Sequence, residues 1–317
     1  MNMALTKQPN KSKRLELNGR FKIQLLYYLM AIVPILWVFI FHYLPISGLY
    51  MAFTDYKANK GVFGGKWVGL KWFKMFVESY DFRLVVKNTL LYTISKIIIV
   101  DIGCGMLFAL LLYEIRSRIG NKIFHTCMLL PAFLSWTVVS ASFMLFMQPD
   151  NGFISRVLVE LGLEKINFYR EAEWWPLILM LAMMYKDAGM SSIYFYSALL
   201  SIDSELFSAS KLDGANRLQQ IRHISLPATK KIFCITLITS LGHIFSGSLQ
   251  PYYNMILGSE SIRSTTLTLG LYLQQGVAGG RLGYTAAVGL MQSIIGTIMV
   301  ITTNTIVKKL DDESSLF

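Results

Sequence analysis

Long apolar runs and short polar breaks alternate along this chain. Residues 23–43, 89–112, 123–147, 174–200, 232–253 and 284–307 are each long and apolar enough to cross a bilayer, whose hydrocarbon core takes roughly 20 such residues as a helix. The pattern predicts an all-α, polytopic membrane protein of six transmembrane helices. Its divisions are a basic N-terminus (1–22), a transmembrane domain (23–308) and a short tail (309–317). The first run exceeds the roughly 7–15 apolar residues of a signal peptide and has no small-residue cleavage site after it. It reads as a retained span.

Composition supports this picture. The chain is 54% hydrophobic and 15% charged, whereas soluble domains carry about 25% charged residues. A net charge of +11 would point to nucleic acid in a soluble protein. Here it fits loops facing an anionic lipid bilayer, and no nucleic-acid partner is expected. A cytoplasmic N-terminus puts 16 Lys/Arg inside and 12 outside. The tight turn holding Arg116, Arg118 and Lys122 decides the matter, because the positive-inside rule is read from short loops. The expected orientation is N-in and C-in. Cys104, Cys127 and Cys234 are far apart and form no C-x-x-C, so neither a disulfide framework nor a zinc site is supported.

Residues 203–227, between spans four and five, are polar and basic but ordered in pattern. Two short helical stretches flank Asp213-Gly214. Gly214 supplies the backbone angles of a sharp turn, and Asp213 is expected to cap the second stretch. Leu206, Phe207 and Ser210 predict an apolar patch on the first helix, and Leu218 and Ile221 one on the second. Pro227 closes the element where a missing N–H costs little. On physics alone this is either a docking plug for another protein or a loop resting on headgroups.

The string Ala209-x-x-x-Asp213-Gly214-Ala215, followed by Ile224-x-Leu226-Pro227, resembles the coupling loop of binding-protein-dependent ABC importer permeases. One departure stands out: Ser208-Ala209-Ser210 replaces the family's Glu-Ala-Ala. Glu205, three residues earlier and on nearly the same helix face, is the candidate substitute for the missing carboxylate. The resemblance runs from about residue 23 to the end and is nearest to the maltose-type carbohydrate family, in its complex-oligosaccharide branch. Phe41-His42-Tyr43-Leu44-Pro45, Val68-Gly69-Leu70, Asp81-Phe82, Asn88-Thr89-Leu90, Leu130-Pro131, Ser135-Trp136 and Ile166-Asn167-Phe168 carry it. So does Tyr185-Lys186-Asp187-Ala188-Gly189, which resembles the family's W-K-E-A-G. The resemblance implies a second permease subunit in a heterodimer and two copies of a cytoplasmic ATP-binding subunit. It also implies an extracytoplasmic sugar-binding protein that delivers the oligosaccharide substrate.

The chemistry of an enzyme has no foothold here. The nearest approach to a phosphate loop, Gly61 to Trp67, has the wrong spacing and no hydroxyl after Lys66. His42, His125, His223 and His243 share no metal-ligand spacing, and no cofactor is implied. Lys96, Asp101, Lys186 and Asp187 lie inside spans, where each costs about 2.5–3.5 kcal/mol on insertion scales. They either line a hydrophilic path or form an internal ion pair such as Lys96–Asp187. Lys96 and Asp101, five residues apart, are expected to point in different directions. Lys186 to Gly189 marks a place where span four is expected to loosen. For the substrate path, Tyr185, Tyr194, Tyr196, Lys186, Asp187, Ser240, His243, Ser246, Ser248 and Gln250, with Tyr252-Tyr253-Asn254 at the end of span five, offer ring faces and polar partners. Trp67, Trp72, Phe73, Phe76 and Phe82 predict an interfacial aromatic belt. Ala286, Gly289, Ser293 and Gly296 make a small-residue stripe on span six that permits close helix approach.

The reading is a non-enzymatic permease half in the bacterial cytoplasmic membrane, coupled to a separate ATPase. The rivals are a membrane-embedded glycosyl or lipid-linked sugar transferase, and an importer permease for a non-sugar solute.

Overall fold

The computed structural model describes residues 11–245, 249–256 and 258–310. Ser246, Ser248, the first ten residues and 311–317 of the tail lie outside them. The chain divides into two compact units, the first ending at Gly69 and the second beginning at Leu70.

In the first unit, α1 (Lys11–Val38) runs on through a π-helical turn, Phe39–Tyr43, and a 3-10 stretch, Leu44–Phe53. Pro45 does not stop the coil, because it stands where the π-helical turn gives way to the 3-10 stretch and the hydrogen-bond pattern changes in any case. The apolar helix therefore spans Gln24–Phe53, ten residues past the expected end. Its large side chains, from Leu25 through Phe41, are exposed on every side, as befits a surface solvated by lipid or a partner. Beyond it, β1 (Thr54–Asp55) pairs antiparallel with β2 (Lys66–Trp67), and Trp67 stacks on Phe53 at 5.5 Å.

The second unit starts with α2 (Lys71–Val77). A continuous helix, Phe82–Glu114, follows and comprises α3 (Phe82–Ser95), a π-helical stretch (Lys96–Cys104) and α4 (Gly105–Glu114). Next come α5 (Arg118–Phe133), α6 (Trp136–Met147), α7 (Phe153–Glu160) and α8 (Trp175–Leu200). Then follow α9 (Ser204–Leu212), α10 (Arg217–Gln220), α11 (Leu226–Ala228) and α12 (Lys230–Gly242). The chain closes with α13 (Leu249–Ile256), α14 (Arg263–Thr266), α15 (Leu269–Ala278) and α16 (Leu282–Leu310).

Among the described residues, Gln24–Phe53, Phe82–Glu114 and Leu282–Lys309 are long and apolar enough to cross a membrane. Two bent pairs, α5 with α6 at 96° and Arg217–Ala228 with α12 at 53°, bring the number to five. Expected span three is thus two helices. Pro131 weakens the first near its end, and Ser135 restarts the chain by capping Val138 N–H at 3.3 Å. Expected span five ends early, at Gly242, where His243 leaves helical angles. Span four shows the opposite outcome. It does not loosen at Lys186 to Gly189 but stays helical for 26 residues, about 39 Å.

Helix α8 is the core of this unit. Trp175, Leu179, Met183, Phe195 and Leu199 are fully buried along it. Gly189 lets α5 approach so closely that a Cβ there would collide with the Met128 carbonyl, and a Cβ on Gly105 would meet Ser191 at 3.0 Å. On α16, a Cβ at Gly296 would lie 2.7 Å from the Gly242 carbonyl, so this part of the small-residue stripe serves α12 of the same chain. Part of the expected aromatic belt is packing: Phe76 is buried against Phe82, Tyr272 and Tyr284. Trp67 stays 64% exposed.

The Asn88-Thr89 pair ties the segment that leads into α15 down. Asn88 donates to the carbonyls of Leu267 and Ser264, and Thr89 accepts the Leu269 N–H at 2.8 Å. Tyr169 donates to the Met255 carbonyl at 3.1 Å, and burial pushes its phenol up to about 12.

The α5–α8 contact makes a direct prediction. Gly189→Val should force the helices apart at a cost of about 1–3 kcal/mol, read as a lower unfolding midpoint in detergent. Gly289→Ala, which meets open space, should leave the midpoint unchanged. Equal midpoints for wild type and Gly189→Val would refute the close approach.

Candidate functional site

Two places concentrate the polar chemistry: an exposed helical element at 203–227, and an ion cluster between helices.

The exposed element is built by its caps. Asp203 opens α9 by accepting the Glu205 N–H at 2.9 Å. At the other end, Ala215 N–H bonds the Ser210 carbonyl at 2.9 Å and Gly214 N–H the Lys211 carbonyl at 3.1 Å. With Gly214 at φ +79°, these bonds form a Schellman turn. Asp213 is therefore the last residue of α9's turn and does not cap α10. Asn216 does so, in a capping box: its side chain accepts Gln219 N–H at 2.9 Å and Gln219 returns the bond to Asn216 N–H at 2.7 Å. The sequence carried this signal as N-x-x-Q, but Asp-Gly is the louder one.

The apolar faces differ from expectation as well. Phe207 turns inward onto Tyr113 at 5.8 Å, and Ser210 accepts a bond from buried Gln220 at 2.9 Å. Helical phase explains this: Gln220 and Phe207 lie on the side facing the end of α4, where Arg217 also reaches Glu114 at 3.5 Å. The outward apolar residues are Leu206, Leu212 and Leu218, which are 55%, 91% and 74% exposed. Glu205, Ser208, Ala209, Asp213 and Gly214 are exposed beside them, while Ala215 and Ile224 are half-buried and Leu226 and Pro227 lie at the surface.

The ion cluster surrounds a cavity of about 320 Å³ lined by Tyr92, Lys96, Asp101, Asp187, Ser240 and His243, among others. Lys96 Nζ lies 2.7 Å from Asp101 Oδ1 and 3.5 Å from Asp187 Oδ2. The Lys96–Asp101 contact corrects the expectation that residues five apart diverge. Residues 96–104 are π-helical, and an i→i+5 repeat brings residues five apart onto one face. Ser191 adds a bond to Asp101 at 3.4 Å. One ammonium faces two carboxylates.

Lys186 serves a different purpose. It is buried, and its ammonium donates to the carbonyls of Ala132 at 2.9 Å and Leu134 at 2.6 Å, with the Trp136 ring 5.6 Å away. Those carbonyls are orphaned where α5 breaks from α6, and a cation suits a helix C-terminus. Of the other path candidates, Asp187, Ser240, His243 and Tyr252 meet at the cavity, Tyr196 accepts a bond from Asn121 at 3.1 Å, and Tyr253 and Asn254 line a separate cleft. Tyr185, Tyr194 and Gln250 are exposed elsewhere. Tyr92, Thr93 and Thr239 also line the cavity; in the sequence they look like ordinary residues of apolar helices.

Residues 101–312 match the family described as binding-protein-dependent transport system inner membrane component. The chain belongs to that family. It is 32% identical over 304 residues to the polygalacturonan/rhamnogalacturonan transport system permease protein YteP of Bacillus subtilis, covering 96% of this chain and 94% of the relative. It is 27% identical over 265 residues to the arabinooligosaccharides transport system permease protein AraP of Halalkalibacterium halodurans, covering 82% and 80%. Its fold matches a chain of a bacterial ABC transporter involved in import of the acidic polysaccharide alginate, with TM-score 0.83, 28% identity, and 93% and 99% of the two chains covered. A chain of a bacterial alginate ABC transporter in complex with an alginate pentasaccharide-bound periplasmic protein matches at TM-score 0.81 and 27% identity, covering 92% and 97%. These are permease components, not enzymes, and this chain is a multi-pass permease component of the same kind.

Lys186→Met should leave two half-buried carbonyls without a donor and cost this permease about 1–3 kcal/mol. The check is thermal unfolding in nanodiscs, beside Lys186→Arg as the variant that keeps donors. An unchanged midpoint for Lys186→Met would show that the break does not depend on this bond.

Proposed function

We propose that this permease forms half of a heterodimeric pore that imports an oligosaccharide delivered by an extracytoplasmic binding protein, and that residues 203–227 couple it to a separate ATPase. The observation that carries the reading is the exposed two-helix element, with three leucines projecting from a base fixed by a Schellman turn and a capping box. Large apolar side chains held in water by rigid backbone are the makings of a protein contact. Two copies of the ATP-binding subunit, one for each permease chain, complete the assembly.

In this reading the topology has six spans with both termini inside, the bent pairs counting as single spans and α8 as the sixth. Helix α8 is long enough; Lys186 and Asp187 lower its apolarity, and both have partners within the protein. The ion-lined cavity is the sugar path: an oligosaccharide is rich in hydroxyls, and Asp187, Ser240 and His243 offer acceptors and donors between apolar walls. Relatives named for polygalacturonan/rhamnogalacturonan and arabinooligosaccharides support the substrate class.

Gly214→Val places a β-branched residue at φ +79°, a strain of about 1–3 kcal/mol that displaces the two helices without touching the cavity. Uptake, and ATPase stimulation by the loaded binding protein, should both fall sharply in the assembled complex. Wild-type values for both would overturn the coupling assignment. Reporter fusions at Gly120 and Gly214 should be cytoplasmic, and those at Gly64 and Gly162 external; the reverse pattern would overturn the orientation.

A further inference from the structure

A larger concavity than the ion-lined one lies between α6, α13, residues 258–267 and α15, with a volume of about 580 Å³. That volume falls within the range of about 300–1,000 Å³ typical of small-molecule sites. Its walls are mainly apolar, with Met144 and Leu271 among them, and Asn254, Gln274 and Ser140 contribute polar groups from three helices. Ser140 is the telling residue. It is 2% exposed, and its hydroxyl is buried without a hydrogen-bond partner. Such a group is costly, and a cleft that retains one is equipped for a polar group that arrives from outside the chain. Asn254 spends its amide N–H on the Gln250 carbonyl at 2.9 Å, which leaves its own oxygen as an acceptor. Tyr253, 57% exposed, adds a ring face.

Charge narrows the ligand. Arg263 is the cation of this wall, and it is held by Asp81 at 2.7 Å and Glu260 at 3.8 Å. Two carboxylates against one guanidinium leave no positive charge for an acidic sugar. Apolar walls, hydroxyl and amide partners, an aromatic face and a balanced cation suit an uncharged pyranose ring, whose faces are C–H and whose rim is hydroxyl.

We propose that this cleft is a second carbohydrate subsite, which holds an uncharged sugar unit before it reaches the ion-lined cavity. Tyr252 lines both spaces and packs edge-on to Tyr92 at 5.3 Å, so its buried ring is the wall that the two share. The inference rests on the oligosaccharide reading above, and its test fails separately from that reading.

The test is saturation-transfer NMR on the assembled transporter in nanodiscs. The probes are α-1,4-galactobiose and digalacturonate, which differ only in oxidation at C6. Galactobiose should be saturated, and digalacturonate at least about tenfold less, the low end of the discrimination an apolar pocket achieves between close analogues. Ala278→Trp, which fills the cleft, and Ser140→Ala, which removes the unpaired hydroxyl, should each cut the galactobiose signal severalfold with the complex intact by size-exclusion chromatography. A signal that survives both changes but is lost in Thr239→Trp, within the inner cavity, would overturn the subsite and leave the transport reading standing. Equal saturation by digalacturonate, or no signal from either sugar, would overturn it too. Release of the second permease subunit by Ala278→Trp would assign the cleft to that chain instead.

Discussion

A helix that breaks in an apolar setting strands carbonyl groups, and this fold turns on how that break is mended. Helix α5 stops at Phe133 and α6 leaves at 96°. The ammonium of Lys186, from the middle of α8, bonds the Ala132 and Leu134 carbonyls at the joint. The same helix carries Gly189, which admits α5 to backbone contact, and Asp187, which faces the Lys96–Asp101 pair. Three neighbouring residues on α8 thus fix a broken helix, a close crossing and an ion cluster. Because an unpaired charge or carbonyl costs several kcal/mol where water is absent, none of the three arrangements slips independently.

The exposed element rests on that framework. Arg217 reaches Glu114 at the end of α4, and Phe207 packs on Tyr113 beside it. Helix α4 in turn lies against α8 through Gly105. In the proposed transporter, a push on Leu206, Leu212 and Leu218 reaches the cavity through these contacts and the packed helices behind them.

Much of this was legible in the sequence, and the misses have physical causes. Gly214 was readable because a left-handed turn is a demand on one residue type. Apolar runs announced the helices, but not where they break: 123–147 reads as one span since its joint, Leu134-Ser135, is neither charged nor glycine-rich. The Lys96–Asp101 pair is hidden from an α-helical period because the chain takes the π form there. Asp213 and Asn216 are both good caps, and only the Schellman turn, which uses up the Asp-Gly pair, leaves the capping to Asn216. The role of Lys186 was out of reach, since its partners are backbone carbonyls more than fifty positions away.

In the proposed transporter the leucine-bearing face of residues 203–227 is covered by a separate ATPase. Leu212→Cys places a thiol where the side chain is 91% exposed in the chain alone. Its rate of maleimide labelling, compared in the permease pair and in the complete complex with the ATP-binding subunits, tests the claim most directly. Labelling should be fast in the first and at least about tenfold slower in the second, the contrast expected of a side chain desolvated at an interface core. Equal rates in the two would contradict it.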